Sequence, residues 1–341
     1  KKNLEDKFTA HLHVHDRYYD TAVKNKYYSQ SFTLKGERKL ELLDDLSFGF
    51  GSDYNYNKGD FQVKGNWGSS AKGHADNLGL YSNLGYKLDD TTSLSAHLRG
   101  DSHKYSQENL TYRLNLTKML NNFTLSLTES TGLRHPDLFV LHGSNASGSY
   151  KSMKTTKPET SLTRELSTRY DFEKNTFFES TIYKSSVSDV LNRGTSTNAY
   201  NEIIDIKQEG IENSFVIKKD DQVIKLSNTF SKSREGDGDP QLRRPEKQYG
   251  IKYSKKISES ILGPFNLTYD YKHIGKVEDW KNGSVRSKVD SSDIMNLSLS
   301  KKLSKQVWSL NIFNLTDEVY QRPDTYNQER RRISLSFNHR Y

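Results

Sequence analysis

From Phe8 to Val14 the chain reads Phe-Thr-Ala-His-Leu-His-Val, with every second side chain apolar or small and every one between polar. Successive side chains of a strand point to opposite faces, so this period of two gives one apolar and one polar face. The pattern persists along the chain. Leu46, Phe48 and Phe50 alternate with Ser47, Gly49 and Gly51, and Leu94, Ala96 and Leu98 with Ser95, His97 and Arg99. Leu110, Tyr112, Leu114 and Leu116 follow, then Phe123, Leu125 and Leu127. Phe265, Leu267, Tyr269 and Tyr271 continue it, then Trp308, Leu310 and Ile312. The chain closes on Ile333, Leu335, Phe337 and Tyr341. No stretch shows convincing apolar spacing at i, i+3, i+4 and i+7, so helical signals are nearly absent. The alternation predicts about 16 strands, many of about 10–14 residues, where soluble strands average about 5–6 and a tilted bilayer-crossing strand needs about 9–11. The expected fold is therefore all-β, an antiparallel transmembrane β-barrel with an apolar outer face and a polar lumen.

Composition narrows the alternatives. The 341 residues are 33% hydrophobic, with a mean hydropathy of −0.88, low for a soluble core but natural where alternate residues face a wet lumen. Thirty-nine Tyr, Phe and Trp against 6 Pro speak against disorder. No run of about 18 apolar residues exists, which excludes a helical membrane protein. The net charge of +8 comes from 51 basic and 43 acidic residues interspersed along the chain, unlike the concentrated stripe of a nucleic-acid binder. With no Cys, there is no disulfide, thiolate metal site or thiol nucleophile. The chain opens at Lys1 with neither an initiator Met nor a signal-peptide apolar region, so a processed protein or a fragment is expected.

The connections alternate as well. Short turns are expected at Asp44-Asp45, Asp89-Asp90, Asn121-Asn122, Lys174-Asn175, Asp220-Asp221, Ser260 to Gly263 and Ser304-Lys305, because Asp and Asn tolerate left-handed backbone. Long loops are expected at 57–75, 131–159, 191–205, 234–245, 277–287 and 315–329. Short turns on one side and long loops on the other is the layout of outer-membrane barrels, with the first strand starting and the last ending on the periplasmic side. Tyr200 to Asp205 reads either as a strand or as a loop excursion. Tyrosines near strand ends, among them Tyr18, Tyr19, Tyr27 and Tyr28, suit a membrane interface.

Two segments resemble the TonB-dependent outer-membrane receptors of the cobalamin and siderophore type. Thr131-Gly132-Leu133-Arg134-His135-Pro136 to Gly143, followed by Lys157-Pro158-Glu159-Thr160-Ser161, is similar to that family's Leu-Arg-x-Pro and Lys-Pro-Glu-Thr-Ser elements. Asn311 to Tyr320, with Tyr326-Asn327 and then Arg330 to Tyr341, is similar to its Asn-Leu-x-Asp element and last strand. Smaller likenesses are Gly210-Ile211-Glu212 and Arg243-Arg244-Pro245. The sequence departs from the pattern at Gln328-Glu329, where the family has Pro-Gly, and at Met153 to Thr156, where it has Asn-Pro-x-Leu. These elements cover the C-terminal two-thirds; the N-terminal third matches only in its alternation.

The resemblance implies a C-terminal barrel fragment spanning 1–341, with about 16 of about 22 strands present and the plug domain absent. It implies active transport of a scarce, bulky nutrient, most closely cobalamin and next a ferric siderophore, energised through TonB in a Gram-negative outer membrane. It implies no enzyme activity and no cofactor. The implied partners are outer-membrane lipid, the TonB complex through the missing plug, the small-molecule ligand and, through terminal Tyr341, the barrel-assembly machinery; nucleic acid is not among them. The family-motif positions are Arg134, Pro136, Lys157, Pro158, Glu159, Asn314, Leu315, Asp317, Tyr320, Arg330 and Tyr341, which are read as shaping loop ends rather than contacting ligand.

Other features compete with blander readings. His11, His13 and His15 share a strand face and are candidate metal ligands, but no carboxylate pattern completes a site and polar lining is the simpler reading. Arg234 to Asp239 resembles half a calcium loop without EF-hand spacing, so a flexible acidic loop is expected. No nucleophile–base pair stands out. The alternatives are a complete 16-stranded diffusion porin, which needs a constriction loop and lacks the Lys-Pro-Glu element, and an outer-membrane enzyme barrel.

Overall fold

A computed structural model describes residues 4–20, 24–64, 68–145, 152, 157–192, 202–236, 238–261, 263–281 and 285–339. Among them are nineteen strands and one short helix, and sixteen of the strands have at least eight residues. The chain divides into two compact units. The first comprises Lys1–Lys118, Ser126–Arg164 and Ser185–Ile206, and the second Met119–Leu125, Glu165–Lys184 and Lys207–Tyr341. In chain order the elements begin with β1 (Leu4–Asp20), β2 (Lys24–Leu43), β3 (Leu46–Val63), β4 (Ser69–Asp89), β5 (Thr92–His103), β6 (Asn109–Leu120) and β7 (Phe123–Arg134). Next come α1 (Leu138–His142), β8 (Gly143–Asn145), β9 (Glu159–Glu173), β10 (Thr176–Asn192), β11 (Glu202–Lys219) and β12 (Gln222–Glu235). They end with β13 (Lys247–Ile257), β14 (Phe265–Ile274), β15 (Val277–Lys281), β16 (Val285–Val289), β17 (Ser292–Leu303), β18 (Gln306–Phe313) and β19 (Arg332–His339).

Within the first unit β1 to β6 form an antiparallel meander. Within the second, β12, β13, β14, β17, β18 and β19 pair in that order, also antiparallel. Turn chemistry sets the reversals: Asn121, Asn175, Asp220 and Ser304 take φ of 51°, 70°, 49° and 52°, the left-handed backbone that tight turns require. The strand runs therefore follow the alternation and the short turns fall where Asp and Asn cluster.

Burial is inverted relative to a soluble fold. Phe8 is 72% exposed, Leu12 65%, Leu335 69% and Ile333 67%, and every one lies on the apolar side of an alternating strand. Among the described residues the buried apolar ones are only Ala71, Ala75, Val140, Leu141, Ile206, Val277 and Val289. An apolar surface this extensive is stable against hydrocarbon, not water. The opposite face is hydrogen-bonded laterally. Thr33 donates to Asn55, Asn55 to Asp53, Arg99 to both Asp53 and Asp101, and Asn77 to Asp101, so one polar chain crosses β2 to β5. No helix among the described residues is long and apolar enough to cross a membrane.

Three expectations change. The segment 57–75 is mostly strand: β3 and β4 stay in register to Val63 opposite Ser69, so the hairpin rises well beyond β5. One face there is covered by α1, where Gly59, Ala71, Gly73 and Ala75 are small to seat it, so the apolar–polar alternation vanishes although pairing does not. The stretch 277–287 contains its own hairpin, β15 with β16. Helix α1 was not signalled, since five residues are too few to show a 3.6-residue period. From Glu202 onward the ambiguous Tyr200 to Asp205 stretch is the start of β11; Tyr200 and Asn201 lie outside the described residues.

Candidate functional site

The segment after β7 folds back over the polar face of the first unit. Asp137 caps α1, its carboxylate accepting from Val140 N at 2.8 Å. Val140 and Leu141 are buried, and Ala71 and Ala75 of β4 are buried on the same face of that strand. Gly59 and Gly73 oppose each other across β3 and β4. A Cβ at Gly73 would collide with the His142 ring, and one at Gly59 with Phe61 and Leu138, so the two glycines let α1 approach the sheet. β8 then pairs with Ser69–Ala71 of β4, covering an edge that β5 is too short to reach. His103 and His135 stack at 4.4 Å beside this seat. Burial pushes the His135 imidazole below its ordinary value.

The motif residues of this region act at the loop's ends. Arg134 pairs with Glu159 at 3.1 Å, joining the end of β7 to the start of β9, and Glu159 also accepts from Leu191 N at 3.4 Å. Pro136 is half-buried just before the α1 cap, Pro158 is buried at the mouth of β9, and Lys157 is exposed beside it.

In the second unit three loops are tied together by charge. Asp279 of β15 is fully buried; it accepts from Trp280 N, Asp324 N and Arg243 Nε, each at 2.8 Å. Burial pushes its carboxyl up, but those bonds outweigh burial and hold it below the usual carboxylate range. Arg286 of β16 pairs with Glu235 at 2.8 Å, Asp239 at 3.4 Å and Glu278 at 3.4 Å. The stretch read as half a calcium loop thus uses Glu235 and Asp239 to hold an arginine; Asp237 lies outside the described residues. Ser287 donates to Asp324 at 2.6 Å, and Arg322 donates to the carbonyls of Ile274 and Gly275 at 3.1 and 3.0 Å.

The C-terminal motif builds a turn. Asn314, buried with φ of 50°, donates to Glu318 O and Glu329 O and accepts from Glu318 N. Leu315 N bonds Met295 O at 2.7 Å, and Asp317 accepts from Arg330 Nε at 2.9 Å and Arg331 N at 2.8 Å. Those contacts hold the Asp317 carboxyl well below the usual range. Tyr320 O accepts from Gln328 N at 3.0 Å. Sequence reasoning found these positions but not Asp279, Arg286 or Asp324, which share no spacing. Tyr341 lies outside the described residues.

His11, His13 and His15 all lie on the polar face of β1, with the His13 and His15 rings 6.4 Å apart. Among the described residues no group of three or more His, Asp or Glu side chains is placed to hold a metal ion. Near the far end of β1, His15, Arg17 and Tyr19 line a hollow of about 540 Å³ with Asn25, Tyr27 and Phe61.

Residues 4–315 match the family model for the TonB dependent receptor-like β-barrel. The match reaches through the N-terminal third, where alternation alone gave no family signature, and stops before Asp317, Tyr320, Arg330 and Tyr341. No curated protein sequence matches the chain. Among solved structures, the ferripyoverdine receptor of Pseudomonas aeruginosa is similar at 12% identity and a TM-score of 0.76, over 98% of this chain and 54% of that one. The ferric yersiniabactin uptake receptor FyuA of Yersinia pestis is similar at 14% identity and a TM-score of 0.71, over 99% and 56%. The siderophore receptor PirA of Acinetobacter baumannii is similar at 15% identity and a TM-score of 0.67, over 99% and 62%. At these identities the likeness is one of fold, and the chain spans little more than half the length of such structures.

Proposed function

Because the chain belongs to the TonB-dependent receptor-like β-barrel family, we propose that it is the C-terminal part of the barrel of an outer-membrane transport receptor of a Gram-negative bacterium. The plug and the remaining strands belong to other parts of the same protein, and the cargo is a ferric siderophore. The family match over 4–315 carries this reading. The inverted burial supports it, since a barrel wall meets lipid with one face and a hydrated lumen with the other. The ligand class draws on the similar structures, whose names are those of siderophore receptors. Cobalamin, favoured by the Arg243-Arg244-Pro245 likeness, ranks second, because Arg243 is turned to Asp279.

In this reading the exposed apolar face of β1 to β7, β9 to β14 and β17 to β19 contacts outer-membrane lipid. TonB acts through the plug, and the last strand with Tyr341 addresses the assembly machinery. Arg134, Pro136, Lys157, Pro158 and Glu159, and Asn314, Leu315, Asp317, Tyr320 and Arg330, hold the ends of two long loops in place. No chemistry on the cargo is required.

Uptake in cells depleted of the native receptor and expressing the intact protein tests this. Iron-59 presented as a ferric siderophore should accumulate, and a protonophore should abolish accumulation. Uptake insensitive to the protonophore would support the diffusion-porin alternative, and uptake of cobalamin alone would reverse the ranking of the two cargoes.

A further inference from the structure

The hollow at the far end of β1 combines three features that the barrel wall elsewhere does not require. The first is an aromatic ladder. Tyr19 and Tyr27 meet edge to face with centroids 5.9 Å apart, and Tyr27 and Phe61 meet tilted at 6.4 Å, so the rings run across β1, β2 and β3. Register explains the ladder: Arg17 opposes Tyr27, Tyr27 opposes Phe61, and Tyr19 opposes Asn25, which puts all of them on the polar face. Tyr19 remains 42% exposed, so a ring surface is open to the hollow.

The second feature is a cation at the ladder's end. The Arg17 guanidinium lies 5.8 Å from the Tyr19 ring centroid and donates to the Tyr19 hydroxyl at 2.9 Å. Among the described residues lining the hollow there is no carboxylate; Asp16 and Asp60 occupy alternate positions on the opposite face. This contrasts with Arg99, Arg169 and Arg286, each clasped by two or more acids. The third feature is the Asn25 amide oxygen, which is buried with no hydrogen-bond donor among the described residues. A buried acceptor left unpaired is unfavourable unless a ligand or water supplies the donor.

We propose that this hollow binds an anionic aryl chelate, a ferric complex of a catecholate or phenolate chelator, and so sets the class of siderophore. The inference rests on the ferric-siderophore reading and specifies it. Aryl rings of the chelator stack on Tyr27 and Phe61, its negative oxygens face Arg17, and an amide N–H of its backbone reaches Asn25. A hydroxamate complex lacks rings for the ladder and carries less charge for Arg17.

Equilibrium binding to the intact, detergent-purified receptor tests the assignment. The probes are the iron(III) complexes of a tris-catecholate and of a tris-hydroxamate chelator of similar size. Wild type should prefer the catecholate complex. Arg17→Ala should weaken it roughly tenfold to a hundredfold, as for a hydrogen bond to a charged group. Tyr27→Ala should weaken it about threefold to tenfold, as for a lost aromatic pair. Hydroxamate binding should not move, and Ser31→Ala, lower on the same face of β2, should change neither. Heat-modifiable gel migration reports folding; if Arg17→Ala fails to fold, Arg17→Gln keeps the stem and removes the charge. Unchanged catecholate affinity, or equal losses for both complexes, would overturn the assignment while leaving the receptor reading intact. Binding of neither complex by wild type would overturn both.

Discussion

Replacing Asp279 with alanine should loosen three loops at once and leave the strands beneath them unaltered. The carboxylate has no exposed surface and accepts three bonds of 2.8 Å, from its own hairpin, from the loop before β13 and from the loop before β19. Arg243 is 61% exposed and turns to water when its partner is lost, so its share is small. Trp280 and Asp324 are half-buried, so each orphaned N–H donor costs in the lower part of the usual range, about 1–2 kcal/mol, for a sum of about 2–4 kcal/mol. Local opening should then become roughly 30- to 700-fold more frequent. Hydrogen exchange read by mass spectrometry on peptides covering 239–245, 277–281 and 320–328 measures this directly. Acceleration in all three, with β13, β14 and β17 unchanged, is the expected result. Acceleration confined to the β15–β16 hairpin would refute the idea that one carboxylate joins the three loops.

Acid should mimic that variant. The folded carboxyl of Asp279 lies below its unfolded value of about 4, so its contribution is complete above that pH and is lost as pH falls through the folded value. Exchange in the same peptides should rise below about pH 4 in wild type and show no such step from this group in Asp279→Ala. Gly73→Ala should displace the His142 ring and destabilise the α1 seat by about 1–3 kcal/mol, seen as faster proteolysis within 135–145. Leu335→Arg, on the exposed apolar face of β19, should cost about 2–4 kcal/mol of refolding stability in lipid if near mid-membrane, whereas Ser334→Arg on the other face should cost far less. Asn314→Ala should fray the turn before β19, read as increased exchange at Leu315 and Glu318.

The strands were legible because bilayer and lumen impose opposite demands on neighbouring residues, and Leu110, Tyr112, Leu114 and Leu116 record them. Where a packed segment covers one face, the residues beneath it shrink to Gly59, Ala71, Gly73 and Ala75 and the record stops, which is why the top of β3 and β4 reads as loop from Asn57 to Ala75. Turns were legible because Asn121 and Asp220 occupy backbone that few other residues tolerate. The α1 helix left one trace, Asp137 three residues before Val140, too common a spacing to act on alone. Long-range partners left none: Arg243, Asp279 and Asp324 meet only where two loops fold against the β15–β16 hairpin, and each alone is an ordinary charged residue. The ladder of Tyr19, Tyr27 and Phe61 was visible only as tyrosines near strand ends, because its register depends on where β1, β2 and β3 turn.

The glycines of β3 and β4 have a further consequence. The Tyr81 hydroxyl lies against Gly51, and the Arg99 guanidinium against Gly79, each reclining on bare backbone instead of standing off the sheet. Arg99 is held in that position by Asp53 and Asp101, and Tyr81 by Glu37, so the polar wall there is low in relief and pinned. A Cβ at Gly51 or Gly79 would lift these side chains off the backbone and pull against the bonds that fix them, so the smoothness of the wall and the strength of its lateral network depend on the same two glycines.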